Sequence, residues 1–309
     1  MFSTFAHGKL LLTGEYAVLD GALALAIPVR YGQTFTVLPG EKPGILTWNS
    51  KNNFDQTWFS ATFQTEDWSI LETTDAAIAE RLQDILVACR VQQPSFLKEK
   101  SASVTMAADF PLNWGLGSSS TLIAAVARWA GIDPYPLLAA TFGGSGYDIA
   151  CAFAEGPLLY RLNPSLPAGQ RESVERVAFD PPFKDQLHFI YLGKKQDSRE
   201  GIQRYREMVA GKNSQLVADI SALTRKVLSA IDLPAFEVAL LAHERLLADA
   251  LALPRAQDLY FPDFPGVIKS LGAWGGDFVL ATLAGSDDTP LEELREKGFL
   301  VFGYREMVR

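Results

Sequence analysis

The run Gly115-Leu116-Gly117-Ser118-Ser119-Ser120 holds residue types that phosphate chemistry uses. Two glycines let a backbone turn sharply and approach a ligand closely. Three serines then open an apolar stretch, so hydroxyls and the unpaired amides of a starting helix face one point. Such a terminus carries partial positive charge and is a ready anion site. The run is not G-x-x-x-x-G-K-[ST], because no Lys follows the second glycine. It is not G-x-G-x-x-G, because Ser120 stands where the third glycine belongs. Alone, it supports a phosphate site and a serine-capped turn equally.

Three other segments carry polar residues in suggestive settings. Lys9 heads an otherwise apolar strand, either snorkelling to solvent or holding a cation against a transferring phosphoryl group. Glu15 and Tyr16 leave that strand at a turn, where polar groups can point into a cleft. Asp148 lies in Gly143-Gly144-Ser145-Gly146-Tyr147-Asp148-Ile149-Ala150, at the start of an apolar helix. It either favours the helix dipole or orients and deprotonates an attacking hydroxyl. Between 134 and 156 its only acidic rival is Glu155. Gly272, Gly275 and Gly276 sit between two apolar strands. A tight hairpin explains one or two of them, whereas another backbone or a ligand coming close explains all three. Ser119 or Ser120 could ligate Mg²⁺, a hard cation that takes a few oxygen ligands plus phosphates.

The elements that must position these residues follow from hydrophobic period. Strands are expected at 9–13, 31–38, 101–107, 157–161, 187–192, 278–284 and 299–304, with a hairpin across 45–63 and a short strand at 267–271. The spacing of Ile78, Leu82, Ile85 and Leu86 predicts a helix over 74–91. Further helices are expected from the serines to residue 130, at 134–142, 147–154, 198–209, 214–231, 234–251 and 291–297. Residues 163–182 hold four prolines and no period, and read as a boundary. Strands and helices mix without strict alternation, which predicts two α+β domains, 1–165 and 183–309.

Bulk composition narrows the function. With 309 residues, 48% hydrophobic and 21% charged, the chain reads as a globular protein. Its 28 basic and 36 acidic residues give a net charge of −8, which argues against nucleic acid as a partner. Two cysteines argue against a disulfide framework. Three scattered histidines show no zinc spacing. Residues 1–9 lack the basic region and cleavage site of a secretory signal, and no apolar run reaches membrane-span length. The expectation is a cytoplasmic protein with no membrane partner.

Taken in order, the four segments resemble the GHMP kinase superfamily of galactokinase, homoserine, mevalonate and phosphomevalonate kinases. Residues 6–18 match A-P-G-K-x-x-L-x-G-E-[HY]-x-V. Residues 111–119 match P-x-x-x-G-L-G-S-S, residues 145–148 match S-G-x-D, and residues 269–277 match K-x-x-G-A-x-G-G-[GD]. The resemblance implies a ribosomal protein S5-like first domain and a ferredoxin-like second domain, with ATP and a small-molecule acceptor between them. It implies that Trp114, Gly115, Leu116, Gly117, Ser118, Ser119 and Ser120, with Gly272, Ala273, Gly275 and Gly276, bind ATP. Asp148 would act as base or orienting acid and Lys9 as the neutralising cation. Glu15, Tyr16, Ser145 and Gly146 would line the acceptor site, and Ser119 would ligate Mg²⁺. Residues 14–18 and the ending at Asp277 look most like phosphomevalonate and mevalonate kinases, and residues 146–150 resemble a bacterial subgroup marked by the sequence Gly-Tyr-Asp-Ile-Ala. Mevalonate diphosphate decarboxylases, homoserine and sugar kinases, and a non-catalytic ligand sensor are the alternatives; a homodimer is compatible with all.

Three departures stand out. His7 replaces a proline, and Asn113-Trp114 replace small residues, so that Trp114 is expected to narrow the nucleotide pocket. Residues 136–142 lack the magnesium-binding Glu of mevalonate and homoserine kinases. A phosphorylated acceptor would want extra cations, for which Lys194, Lys195, Arg199 and Arg204 are candidates, although a solvated helix face explains them as well.

Overall fold

In the computed structural model, which describes residues 1–194, 198–209, 214–272, 274 and 276–309, the chain builds two sheets flanked by helices. The first half comprises β1 (Phe2–Thr13), β2 (Ala24–Pro39), β3 (Ile45–Lys51), β4 (Thr57–Gln64), β5 (Ile70–Thr73), α1 (Ala76–Gln92), β6 (Ala102–Ala108), α2 (Ser118–Ala130), α3 (Pro134–Thr141), α4 (Tyr147–Cys151), β7 (Leu158–Leu162) and β8 (Glu172–Arg176). The second comprises β9 (Leu187–Tyr191), α5 (Ser198–Val209), α6 (Ser214–Ser229), α7 (Leu233–Leu251), α8 (Ala256–Tyr260), β10 (Ile268–Ser270), β11 (Phe278–Thr282), α9 (Thr289–Glu296), β12 (Leu300–Gly303) and α10 (Tyr304–Met307).

Among the described residues, the first sheet runs β5-β4-β3-β6-β2-β7-β8, with β1 also pairing β2. Strand β2 organises it. Its residues 33–39 pair with β6 and its residues 24–26 with β7, while β1 pairs along both stretches. The strand expected at 31–38 is the second part of β2, which begins at Ala24 and runs through Pro28. Pro28 does not end it: Pro28 stands opposite Lys9, beside a register shift that absorbs the missing donor. The expected boundary at 163–182 contains β8, which pairs with β7 at the sheet edge. Ser173, Val174, Glu175 and Arg176 are exposed, so this edge strand carries no buried face to give it a period.

The second sheet has the order β10-β11-β9-β12, all antiparallel. Counted along the chain its strands lie 2-3-1-4, with helices between the first and second and between the third and fourth. That is the ferredoxin-like βαββαβ arrangement that the resemblance implies.

Alternation along β1 divides the core. Leu10 and Leu12 point to one face and Leu11 to the other, as pleating requires. Leu11 packs with Cys151 and Tyr160. Leu10 and Leu12 join Leu25, Ile27, Phe110 and Trp114 against Phe189, Tyr191, Phe278 and Leu280 of the second sheet and Phe236 of α7. The two sheets therefore share one apolar cluster. A separate cluster packs α1, α2 and α3 onto the first sheet through Leu82, Ile85, Ile123 and Leu137 against Phe35, Trp48, Phe63 and Val104.

Trp114 sits inside the shared cluster, with its ring edge-on to Tyr31 at 5.4 Å and Phe302 at 5.2 Å, and 6.0 Å from Tyr191. Trp114→Ala is expected to lower unfolding free energy by about 3–5 kcal/mol, read by chemical denaturation.

Candidate functional site

Gly117 has φ 90° and lets the chain turn into α2 from a left-handed residue. The turn aims the first residues of α2 at a cavity of about 690 Å³. β1 holds the turn from behind: the Lys9 N–H donates to the Leu116 carbonyl at 2.9 Å, and Lys9 Nζ donates to the Gly115 carbonyl at 3.0 Å. Lys9 Nζ also stands 5.7 Å from the Tyr147 ring centre.

Asp148 enters from the opposite wall. Gly146, at φ 89°, starts α4 and turns Asp148 towards α2. The Ser120 hydroxyl donates to Asp148 Oδ2, and the Ile149 N–H donates to Oδ1 at 3.0 Å. Both carboxylate oxygens accept a bond, which fixes the direction of the group. Lys9, Ser118, Ser119, Ser120 and Asp148 all line the one cavity. Ser119 is exposed to it, whereas Ser120 is buried.

Glu15 lies deeper, with only 1% of its surface exposed. Its Oε1 pairs with Lys269 Nζ at 2.5 Å, and Lys269 is itself fully buried. Burial pushes the Glu15 carboxyl up to about 7, against the opposing pull of Lys269. His243 Nε2 lies 3.6 Å from Glu15 Oε2 but is no cation there. That nitrogen accepts the Gly14 N–H at 2.9 Å, so it bears no proton, and burial holds the imidazole well below its usual range. Beside them Glu244 accepts from the Ser270 N–H and hydroxyl through Oε1, and burial raises its carboxyl too. Tyr16, at φ 56°, accepts the Trp274 N–H at 2.8 Å and is pushed up to about 12 by burial.

The cavity gathers most of the residues singled out in the sequence. Lys9, Glu15, Tyr16, Gly115, Gly117, Ser118, Ser119, Ser120, Ser145, Asp148 and Gly272 line it. Trp114 and Leu116 do not. Both side chains belong to the apolar cluster between the sheets, and the Leu116 carbonyl is taken by Lys9. The expected narrowing of a nucleotide pocket by Trp114 is thereby corrected. Gly146 and Gly276 lie outside the lining; a Cβ on Gly146 would stand 3.1 Å from Tyr135 and Tyr160. Ala273 and Gly275 lie outside the described residues.

Two of the candidate cations end elsewhere. Arg204 donates to the carbonyls of Leu251 and Ala252, and Lys194 lies over the Tyr260 ring. Lys195 and the side chain of Arg199 lie outside the described residues. Sequence reasoning missed Arg81, and it named Asp277 only as the end of a motif without a place in the site; both line the cavity. Asp277 packs against Gly115: a Cβ there would stand 2.1 Å from its Cγ and Oδ2, and Gly115 has φ 67°. Glycine is required at 115 on both counts. Arg81 gave no signal, because it occupies the polar face of an amphipathic helix, where charge is ordinary.

No protein-family model and no curated protein matches the sequence. Solved structures do. Mevalonate kinase from Methanococcus jannaschii is similar at TM-score 0.70 and 17% identity, over 97% of this chain and 96% of that one. Phosphomevalonate kinase from Streptococcus pneumoniae, in complex with phosphomevalonate and AMPPNP, is similar at TM-score 0.69 and 16% identity, over 98% and 100%. Galactokinase from Lactococcus lactis, complexed with galactose, is similar at TM-score 0.64 and 14% identity, over 97% and 92%. The chain has the GHMP kinase fold over nearly its whole length. No helix among the described residues is long and apolar enough to cross a membrane.

Lys269→Met should strand Glu15 without a partner, costing about 3–5 kcal/mol of stability. A carboxyl whose folded pKa is raised contributes stability below its unfolded pKa and loses it as pH rises through the folded value. The variant's deficit, read by urea denaturation, should therefore be larger at pH 8 than at pH 5.5.

Proposed function

We propose that the protein is an ATP-dependent kinase that transfers the γ-phosphoryl group to a small acceptor, mevalonate or phosphomevalonate. The observation that carries this reading is the convergence of Lys9, Ser118, Ser119, Ser120 and Asp148 from three distant segments on one cavity, with Ser120 bonded to Asp148. The likeness in fold to kinases acting on such acceptors supports it.

In this reading the amides and serines at the start of α2 bind the triphosphate, where the helix dipole favours negative charge. Lys9 neutralises charge on the transferring group. Its hold on Gly115 keeps the ammonium beside the loop and limits its reach. Asp148, fixed by Ser120 and Ile149, orients the acceptor oxygen in line and takes its proton when that oxygen is a hydroxyl. Catalysis is then positioning and electrostatics.

The donors present fit Mg²⁺. Ser119 offers an exposed hydroxyl, and the cavity supplies carboxylate oxygens from Asp148 and Asp277, the kind of sparse oxygen set that Mg²⁺ completes with phosphates and water. Among the described residues no group of three His, Cys, Asp or Glu could hold a metal unaided. When bound, Mg²⁺ would add positive charge at the phosphate oxygens; Ser119 is the residue expected to hold it.

ADP release with mevalonate, phosphomevalonate, homoserine and sugars is the direct test. Turnover should require one acceptor and appear with mevalonate or phosphomevalonate. Asp148→Asn should lower it by about 10²- to 10⁴-fold while leaving AMPPNP binding intact. Ser119→Ala should raise the Mg²⁺ concentration needed for half-maximal turnover. Unaltered turnover in Asp148→Asn would remove the base from the scheme.

A further inference from the structure

Arg81 projects from α1 into the same cavity as Lys9 and Asp148, yet the assignments above give it no role. Its guanidinium carbon lies 5.6 Å from the Phe142 ring centre, a cation–π contact. Phe142 belongs to the turn that follows α3, and the cavity wall there is lined by Leu138, Thr141, Gly143 and Gly144 beside it, with the Thr141 hydroxyl donating to the Leu137 carbonyl at 2.7 Å. No ion pair or hydrogen bond involves Arg81 among the described residues, even with Glu80 and Asp84 beside it on α1. A guanidinium presents a fork of N–H donors matched to carboxylate and phosphate oxygens.

The charge within the cavity gives this cation a purpose. Asp148 and Asp277 both line it, and Glu15 is already matched by Lys269. Lys9 spends one donor on the Gly115 carbonyl. Among the described residues Lys9 and Arg81 are the Lys and Arg side chains that line the cavity, so a polyanion entering there meets Arg81 as well as Lys9. The stretch of α3 facing this region holds no acid that could bring in a metal; Leu137 and Leu138 are buried there instead.

We infer that Arg81 is an oxyanion-binding residue of the cavity, gripping a phosphate or carboxylate group of a bound reactant while held beside the Phe142 ring. The identity of that reactant rests on the proposed kinase reading: the oxyanion belongs either to the nucleotide triphosphate or to an anionic acceptor. The same chemistry serves both, and the two differ in which binding constant Arg81 controls.

The test compares wild type, Arg81→Gln and Arg81→Lys. AMPPNP and pyrophosphate binding are measured by calorimetry, with and without Mg²⁺, and KM is measured for the acceptor that supports turnover. Arg81 is exposed, so thermal melts of the variants should match wild type. Arg81→Gln should weaken one ligand by about ten- to hundredfold, the range for a charge-assisted contact. Arg81→Lys should recover part of the loss, since it keeps the charge without the fork. Weakened AMPPNP binding with unchanged acceptor KM assigns the oxyanion to the nucleotide; a raised acceptor KM with unchanged AMPPNP binding assigns it to the acceptor. Wild type that binds AMPPNP, with no constant altered in Arg81→Gln, overturns the inference and leaves the kinase reading standing. Wild type that fails to bind AMPPNP overturns the kinase reading. Pyrophosphate then decides Arg81: weaker binding in Arg81→Gln supports the inference, and equal or absent binding refutes it.

Discussion

The contact between Glu15 and Lys269 joins residues 254 positions apart, with both side chains out of water. Breaking such a pair from one side costs more than the intact pair contributes, because a lone buried charge remains. The geometry of the site follows from it. Glu15 opens the turn after β1, the strand that carries Lys9. Lys269 lies on β10, which leads into the glycine turn whose Gly272 and Asp277 reach the cavity. With the pair in place, His243 holds the Gly14 amide and Tyr16 holds the Trp274 amide. Two walls from opposite ends of the chain are thereby held together around one space.

The apolar cluster between the sheets works in the same direction. Leu10 and Leu12 of β1 and Trp114 before α2 pack on Phe189, Tyr191 and Phe278. The segments that carry Lys9 and the 115–120 loop thus have their reverse faces in the core, which leaves their polar atoms facing the cavity. Rigid backing of this kind suits a site that acts by positioning, since misplacing a reacting group by about 1 Å can cost on the order of a hundredfold in rate.

Much of this was legible in the sequence, and the gaps have physical causes. Glycines with serines before an apolar run marked the start of α2, and Asp148 in a glycine-rich turn marked the start of α4. Both are local signals, set by backbone freedom and helix ends. Strand β8 was missed because an exposed, charged edge strand shows no alternation. The role of Trp114 was misread because a bulky residue beside a phosphate-type loop looks the same in sequence whether it faces ligand or core. The partnership of Glu15 with Lys269, and the approach of Asp277 to Gly115, are long-range contacts that no local spacing encodes. Arg81 is the extreme case: on α1 it is one more solvated charge, and only the arrangement of α1 beside α3 brings it to the cavity.

The central claim is that the start of α2 and Asp148 face each other across a nucleotide site. A crystal structure of the protein with AMPPNP and Mg²⁺ tests it most directly. The account requires the triphosphate to lie on the amides and hydroxyls of residues 115–120, with its γ-phosphate between Lys9 and Asp148. Nucleotide bound elsewhere, or bound there with its γ-phosphate turned away from Asp148, would contradict it.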